Sequence, residues 1–138
     1  MNEEKVNKLR ERREHILKLM FVLDFHDKEE AEEQADLYRR LHMANDMEGF
    51  QVVKEKTFKI EEKLGEIDVI LEKASTGWPL SRLGHSELCI MRLAAYEILF
   101  DESVPNSVAI NEAVELSKLY GNDSAPSFVN GVLAKLVK

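Results

Sequence analysis

Apolar residues recur at intervals of three and four through almost the whole chain, and no stretch alternates apolar and polar residues for long enough to form a strand. That spacing is typical of amphipathic helices. The clearest interruption is Ser75-Thr76-Gly77-Trp78-Pro79, where the proline disfavours a helical backbone at the residue before it. We therefore predict an all-α chain whose two helical halves span about 1–77 and 78–138.

The periodicity divides the chain into about seven helices. In chain order they are Leu9 to Leu23, Ala31 to Leu41, Phe50 to Leu64, Ile67 to Ala74, Ser86 to Phe100, Val108 to Tyr120 and Ser124 to Val137. The fifth is apolar on most of its circumference, as expected for a buried central helix. Ser124 is expected to cap the start of the last helix, and Gly121 to end the sixth in a left-handed conformation.

Length and composition favour a single domain without bound groups. With 138 residues, 44% of them hydrophobic, the chain can bury a core without disulfides or metals. The six glycines are scattered singly and form no phosphate-binding loop, and the four histidines lack the spacing of a metal-binding pair. Cys89 lies in the apolar fifth helix, so we interpret it as a small buried hydrophobe. We expect a protein that is not an enzyme and that needs neither a cofactor nor a metal.

The same features indicate a location. The first residues are polar and charged and contain no apolar secretory segment. The most apolar stretch, Leu88 to Phe100, contains Arg92 and Glu97 and is too short to span a bilayer. A single cysteine suits a reducing compartment. We expect a cytoplasmic protein that does not bind a membrane.

Basic residues are concentrated at the start of a chain whose formal net charge is −7. Residues 1–20 hold six basic and four acidic residues, whereas the remainder has a net charge of −9. An acidic body repels a polyanion, so an RNA contact would have to begin at this basic arm. Because Arg12 and Arg13 fall in the core-facing sector of the first helix, we expect packing only from about Glu14 onward, with residues 2–13 projecting or frayed. On composition alone, a solvated tail is favoured over an RNA-binding arm.

Three blocks in the second half resemble the NusB transcription antitermination family. They are Met91-Arg92-Leu93-Ala94-Ala95-Tyr96-Glu97-Ile98, Val108-Ala109-Ile110-Asn111-Glu112-Ala113-Val114-Glu115-Leu116 and Phe128-Val129-Asn130-Gly131-Val132-Leu133. Their order and spacing, with Pro105 and Tyr120-Gly121 between them, resemble the family over residues 88–133. The first half is similar in its helix layout and in an arginine-rich start before an aromatic residue, here Phe21. The resemblance implies an all-α fold of two small packed helical bundles.

The resemblance also implies a function without catalysis. NusB proteins bind the single-stranded boxA element of ribosomal RNA leader transcripts together with NusE, a small-subunit ribosomal protein. The pair helps RNA polymerase to read through terminators. A NusB-like domain also precedes the catalytic domain of some ribosomal-RNA cytosine methyltransferases. Since this chain ends at Lys138, we expect the stand-alone factor, acting within the RNA polymerase antitermination complex.

Residue by residue, the resemblance implies RNA contacts near both ends of the chain. The expected contacts are Lys5, Lys8, Arg10, Arg12, Arg13, Phe21, Ser124 and Phe128. Phe21 stands where the family often has tyrosine, and Ser124 where it often has an acid. Phe128 fits a core position as well as an RNA contact. Glu87 matches an acidic position that faces NusE or RNA in the family, and we assign it to partner binding.

A different class of function is compatible with the same residues. Four acids interrupt the basic arm, so RNA binding by the chain alone is expected to be weak. The alternative is a helical protein-interaction module that acts through NusE or through self-association. Both a monomer and a homodimer fit the sequence, because it has no heptad seam that would decide between them.

Overall fold

The computed structural model describes residues 2–137, which form helices and no strand. The helices are α1 (Glu3–Leu23), α2 (Ala31–His42), α3 (Met47–Glu62), α4 (Leu64–Ala74), α5 (His85–Phe100), α6 (Asn106–Tyr120) and α7 (Ala125–Ala134). Two 3₁₀ turns, Lys28–Glu30 and Leu80–Arg82, precede α2 and α5. The all-α prediction is confirmed. None of the helices between residues 2 and 137 is both long and apolar enough to cross a membrane.

The chain divides into two compact units, Met1–Glu61 and Glu62–Lys138. This boundary lies earlier than the predicted one at 77/78. The helix α4 contacts α5 and α7, so it belongs to the second unit although it precedes the Gly77-Trp78-Pro79 break. A proline interrupts a helix locally, whereas the boundary of a unit depends on which apolar faces are buried together.

In the first unit, α1 and α2 pack against each other. Ile16, Leu19 and Met20 of α1 are buried, as are Ala35 and Tyr38 of α2. In α3, the regularly spaced Phe50, Val53, Thr57 and Ile60 are buried, as the periodicity predicts. The predicted helix runs too far at its end, because α3 stops at Glu62 and Leu64 begins α4.

From the spacing of the apolar residues in the second helix, Ala31, Ala35, Tyr38 and Leu41 are expected on one buried face, but 67% of the surface of Leu41 is exposed. The helix ends one residue later, and the non-helical backbone of Met43 (φ −137°, ψ 31°) turns the chain. Met43 is buried instead of Leu41. The end of the helix, which periodicity alone does not fix, determines which of the two residues enters the core.

In the second unit, α5 packs against α4, α6 and α7. Its buried residues lie around most of the helix circumference, as predicted: Cys89, Ile90, Met91, Leu93, Ala94, Ala95 and Glu97. The interpretation of Cys89 as a buried residue is therefore confirmed.

The start of α1 differs from the prediction of a frayed arm. The helix begins at Glu3, where the Asn2 side chain accepts a hydrogen bond of 2.8 Å from the Lys5 backbone N–H. Acidic residues in the first turn, Glu3 and Glu4, lie at the positive end of the helix dipole. Local capping therefore supports a helix whose first turns are largely exposed to solvent.

The turn before α7 corrects two further predictions. Gly121 is extended (φ −106°, ψ 179°) and not left-handed. It is glycine for space, because a Cβ there would lie 2.6 Å from the Ala125 Cβ and 2.9 Å from the Ser117 carbonyl oxygen. Ser124 occupies the cap position of α7 without a capping hydrogen bond, because its hydroxyl donates to Asn122 Oδ1 at 2.9 Å.

Candidate nucleic-acid interface

Three basic side chains of α1 share one face of the helix. Because an α-helix turns by about 100° per residue, Lys5, Lys8 and Arg12, at positions i, i+3 and i+7, fall within the same sector. We call these residues the basic face. Lys5 and Lys8 are exposed and Arg12 is half-buried, and none of the three forms an ion pair with any residue from 2 to 137. The basic face therefore presents cations that are not neutralised by the described chain.

Arg12 has an additional feature. Its Nε atom is buried and has no hydrogen-bond acceptor in the described chain. A buried N–H without an acceptor is costly, by about 1–3 kcal/mol or more for a charged group. An anionic oxygen reaching this guanidinium would remove that cost.

Arg10 and Phe21 lie on another face of α1. They are eleven residues apart, which places them in nearly the same sector and about 16 Å apart along the axis. Phe21 is 36% exposed, and its ring contacts that of Phe25 edge to face, with the centroids 5.3 Å apart. Phe25 is 65% exposed and was not among the predicted site residues. The structure thus does not bring Phe21 onto the basic face.

Arg13 contradicts the expectation that arginines in the core-facing sector cannot dock. It is 9% exposed and makes contacts with other residues of the chain. Its aliphatic stem can pack against apolar neighbours while the guanidinium is paired, which an argument from charge alone overlooks. Arg13 is thus buried, Arg12 is half-buried and Arg10 is exposed, so the three predicted arginines point in three directions.

His15 continues the basic face but adds no charge to it at neutral pH. Its Nδ1 lies 2.6 Å from the Tyr38 hydroxyl oxygen, and the two rings meet edge to face. Burial lowers the pKa of His15 below its ordinary value of 6.5, and the Lys18 ammonium lowers it further, against the opposing effect of Glu11 and Glu14. A neutral imidazole can accept the hydroxyl proton of Tyr38, which joins α1 to α2.

In the second unit, Phe128 is half-buried at the start of α7. Its ring lies 6.4 Å from that of Trp78, centroid to centroid, at an interplanar angle of 58°. Trp78 is 49% exposed. Phe128 is therefore neither a fully buried core residue nor isolated on the surface, and the neighbouring Val129 takes the core position.

Glu87 lies at the third residue of α5, where a carboxylate is favoured by the helix dipole. Two glycines leave room for it: a Cβ at Gly84 would collide with the Glu87 carboxylate, and a Cβ at Gly121 would lie 3.4 Å from its Oε1. Glu87 forms no hydrogen bond or ion pair with the residues that the structure describes. The side chain of Glu87 is half-buried.

The exposed Trp78 was not singled out from the sequence, nor were the basic residues Lys73 and Arg82 that precede and follow it in the sequence. Trp78 was used only to mark a break between helices. A signal was present, because a large aromatic residue between glycine and proline cannot easily be buried by a regular element.

Comparison with known proteins agrees with the fold. The profile of the NusB family matches residues 10–138. Transcription antitermination protein NusB of Lachnoclostridium phytofermentans is 51% identical over 128 residues, which cover 93% of this chain and 97% of that protein. The protein of the same name from Agathobacter rectalis is 45% identical over 123 residues, covering 89% and 94% of the two chains.

A solved structure of NusB from T. maritima superposes with a TM-score of 0.78 at 28% identity, covering 92% of this chain and 88% of that one. The structural likeness and the family match extend over both units. The chain belongs to the NusB family of transcription antitermination factors, which are not enzymes.

Proposed function

We propose that this protein is an RNA-binding adaptor that contacts single-stranded boxA RNA of ribosomal RNA leader transcripts together with NusE. In this role it helps RNA polymerase to read through terminators in the cytoplasm. The observation that carries the proposal is the basic face, where Lys5, Lys8 and Arg12 have no ion-pair partner in the described chain. Each phosphate that these groups neutralise contributes affinity that depends on salt.

The buried Nε of Arg12 supports a phosphate rather than a diffuse ion cloud. A phosphate oxygen accepts from a guanidinium in a defined geometry, and a close contact of this kind would satisfy that N–H. Arg10 and the Phe21–Phe25 pair lie on another face of α1, where exposed rings can stack on unpaired bases. Arg13, being buried, is left out of the proposed contact.

The test is a salt titration with a short single-stranded boxA RNA carrying a fluorescent label, with and without NusE. The double variant Lys5→Ala/Lys8→Ala is compared with the matched control Lys28→Ala/Lys59→Ala, which also removes two exposed bases from the first unit. We expect the first variant to make the slope of log affinity against log salt shallower by about 1.4, at roughly 0.7 per phosphate contact. The control should retain the wild-type slope.

Two results would contradict the proposal. Equal slopes for both variants would place the RNA elsewhere than on the basic face. Equal affinity for boxA and a scrambled RNA, even with NusE present, would favour the alternative of a protein-interaction module acting through NusE or self-association.

For the protein partner, we propose that Glu87 receives a basic surface of NusE. Its half-buried carboxylate forms no ion pair within the described chain, and the absence of side chains at Gly84 and Gly121 leaves room for it. Glu87→Lys should weaken NusE binding about tenfold at low salt, with a smaller effect at high salt, because reversing a charge that faces a basic partner acts on encounter and register. Glu102→Lys, at an exposed acid in the loop before α6, is the control.

A further inference from the structure

Trp78 is an aromatic side chain that the fold of the second unit exposes without an obvious structural need. About half of its surface is open (49%), and its indole N–H has no hydrogen-bond acceptor among residues 2–137. The Phe128 ring lies beside it, with the centroids 6.4 Å apart. An exposed indole that packs against one neighbouring ring is a common feature of binding surfaces. Such a rigid ring gives a large contact area at little cost in conformational entropy.

The backbone around Trp78 holds the ring in place. Gly77 adopts a left-handed conformation (φ +77°), which a residue with a side chain rarely takes. The Trp78 N–H donates to the Ser75 carbonyl oxygen at 2.9 Å, and the Ser75 hydroxyl donates to the Trp78 carbonyl oxygen at 3.1 Å. The following Leu80 N–H donates to the Glu72 carboxylate at 3.3 Å. We call residues 75–79 the tryptophan turn, and its hydrogen bonds make it a fixed platform.

The unpaired cations of this unit border the same turn. The structure describes six basic side chains in the second unit, and four of them are engaged. Arg92 pairs with Asp68, Lys118 with Glu115 and Lys63 with Glu66, while Lys135 donates to the Ala74 carbonyl oxygen.

The remaining two are Lys73, in the last turn of α4, and Arg82, in the 3₁₀ turn after Trp78. Neither forms an ion pair with the described part of the chain. The Glu72 carboxylate, next to Lys73 in the sequence, accepts the Leu80 N–H and keeps its negative charge. The tryptophan turn therefore combines an open aromatic ring with two cations that form no ion pair in the described residues, in a unit that is otherwise rich in acids.

We propose that Trp78 stacks on an unpaired base of single-stranded RNA, with Lys73 and Arg82 contacting the adjoining phosphates. This second RNA contact rests on the proposed function and is separate from the basic face. Base stacking needs a flat open ring and tolerates any base, and phosphates need cations on either side of it. A basic protein, such as the partner proposed for Glu87, would be repelled by the same two cations.

The chain has one tryptophan, so its intrinsic fluorescence reports on this ring alone. Short single-stranded boxA RNA is titrated into the full-length protein, and tryptophan quenching is compared with the anisotropy of the labelled RNA. We expect quenching that saturates at the same RNA concentration as the anisotropy. Inorganic polyphosphate, which has the charge but no bases, should bind without comparable quenching.

Trp78→Ala should weaken RNA binding about tenfold, within the range that one stacked base contributes. Trp78→Phe should lose about threefold, since it keeps a smaller ring, and it serves as the test if the alanine variant fails to fold. Leu119→Ala, which removes another exposed apolar residue of the same unit, is the control and should bind as the wild type does.

The outcomes separate this inference from the proposed function. If RNA raises the anisotropy but leaves Trp78 fluorescence and the affinity of both tryptophan variants unchanged, the proposed contact at Trp78 is wrong. The proposed function, RNA binding, is then unaffected. If quenching follows addition of NusE and not of RNA, the ring faces a protein and the inference is overturned. If no RNA binds under any condition, the inference and the proposed function both fail.

Discussion

The two units carry their unpaired cations in different ways. In the first unit, the basic face follows one side of a regular helix, and its lysines extend on flexible stems. In the second unit, Lys73 and Arg82 flank a hydrogen-bonded turn that holds one ring in place. The side chains of a regular helix space positive charge evenly but offer no ring on which a base could stack. The tryptophan turn offers such a ring but has fewer cations. We infer that the first surface contributes phosphate contacts and that the second combines phosphate contacts with a contact to one base.

The largest expected effect concerns Arg13, which follows Arg12 of the basic face in the sequence but is buried. Arg13→Ala should lower the free energy of unfolding by about 2 kcal/mol, because it removes a buried stem and leaves its contacts unmet. Lys8→Ala, on the exposed side, should change stability by less than about 0.5 kcal/mol. Chemical denaturation of both variants measures the difference. Equal stabilities would mean that Arg13 belongs functionally to the exposed surface after all.

The second effect concerns the rigidity of the tryptophan turn. Gly77→Ala forces a side chain into a left-handed backbone conformation and should cost about 1 kcal/mol of stability, with a severalfold loss of RNA affinity. Gly65→Ala is the matched control, because its Cβ would meet nothing within 4 Å and its φ is not positive. Thermal melting and RNA anisotropy are the measurements. An unaffected RNA affinity in a destabilised Gly77→Ala would show that the ring position does not matter for binding.

The third effect concerns charge at the same turn. Lys73→Ala/Arg82→Ala should weaken RNA binding about threefold and make the salt slope shallower by roughly 1.4, if each contacts one phosphate on a single strand. Stability should hardly change, since neither side chain has a partner in the described residues. Lys118→Ala, whose base is already paired with Glu115, is the control for nonspecific loss of charge. A slope that stays at the wild-type value would leave the second unit without a role in phosphate binding.

The smallest effect marks the end of the basic face at His15. Because the folded-state pKa of His15 is lowered, the unfolded chain binds more protons between that pKa and 6.5. The stability that His15 contributes to the folded state is therefore complete above pH 6.5 and is lost as the pH falls toward the folded pKa. His15→Gln should reduce the change in the free energy of unfolding over this pH range, by less than about 1 kcal/mol. A profile identical to that of the wild type would show that another group titrates there.

The sequence predicted those parts of the fold that depend on a regular pattern. The buried faces of α3 and α5 follow from the spacing of their apolar residues, and a helix that is apolar around most of its circumference has to be central. The family motifs lie on α5, α6 and α7, which pack against one another in the second unit.

The features that the sequence did not reveal are those for which two local arrangements are both compatible with the apolar pattern. Leu41 and Met43 are both apolar enough for a core, and Met43 is the buried one because α2 ends at His42. A glycine after a helix suits a left-handed cap, but Gly121 is needed because Ala125 lies close by. Of two adjacent arginines, Arg13 is buried and Arg12 is not, which depends on contacts made after the helix has docked.

At the candidate site, the sequence directed attention to the first helix but did not show which of its basic side chains share a face. Lys5, Lys8 and Arg12 form a face because of helical geometry, which could have been calculated once α1 was known to begin at Glu3. The pairing of Trp78 with Phe128 joins residues fifty positions apart, and no local pattern predicts it.

Cys89 allows the local opening of the second unit to be measured separately from the first. Its thiol has no exposed surface and lies in the middle of α5, and no other cysteine is present in the sequence. A thiol reagent can therefore label the folded protein only when α5 becomes accessible, so the labelling rate follows the opening of that region. If RNA bound to the tryptophan turn slows this labelling, the degree of protection gives the free energy with which RNA binds the second unit. The basic face of α1 takes no direct part in that measurement.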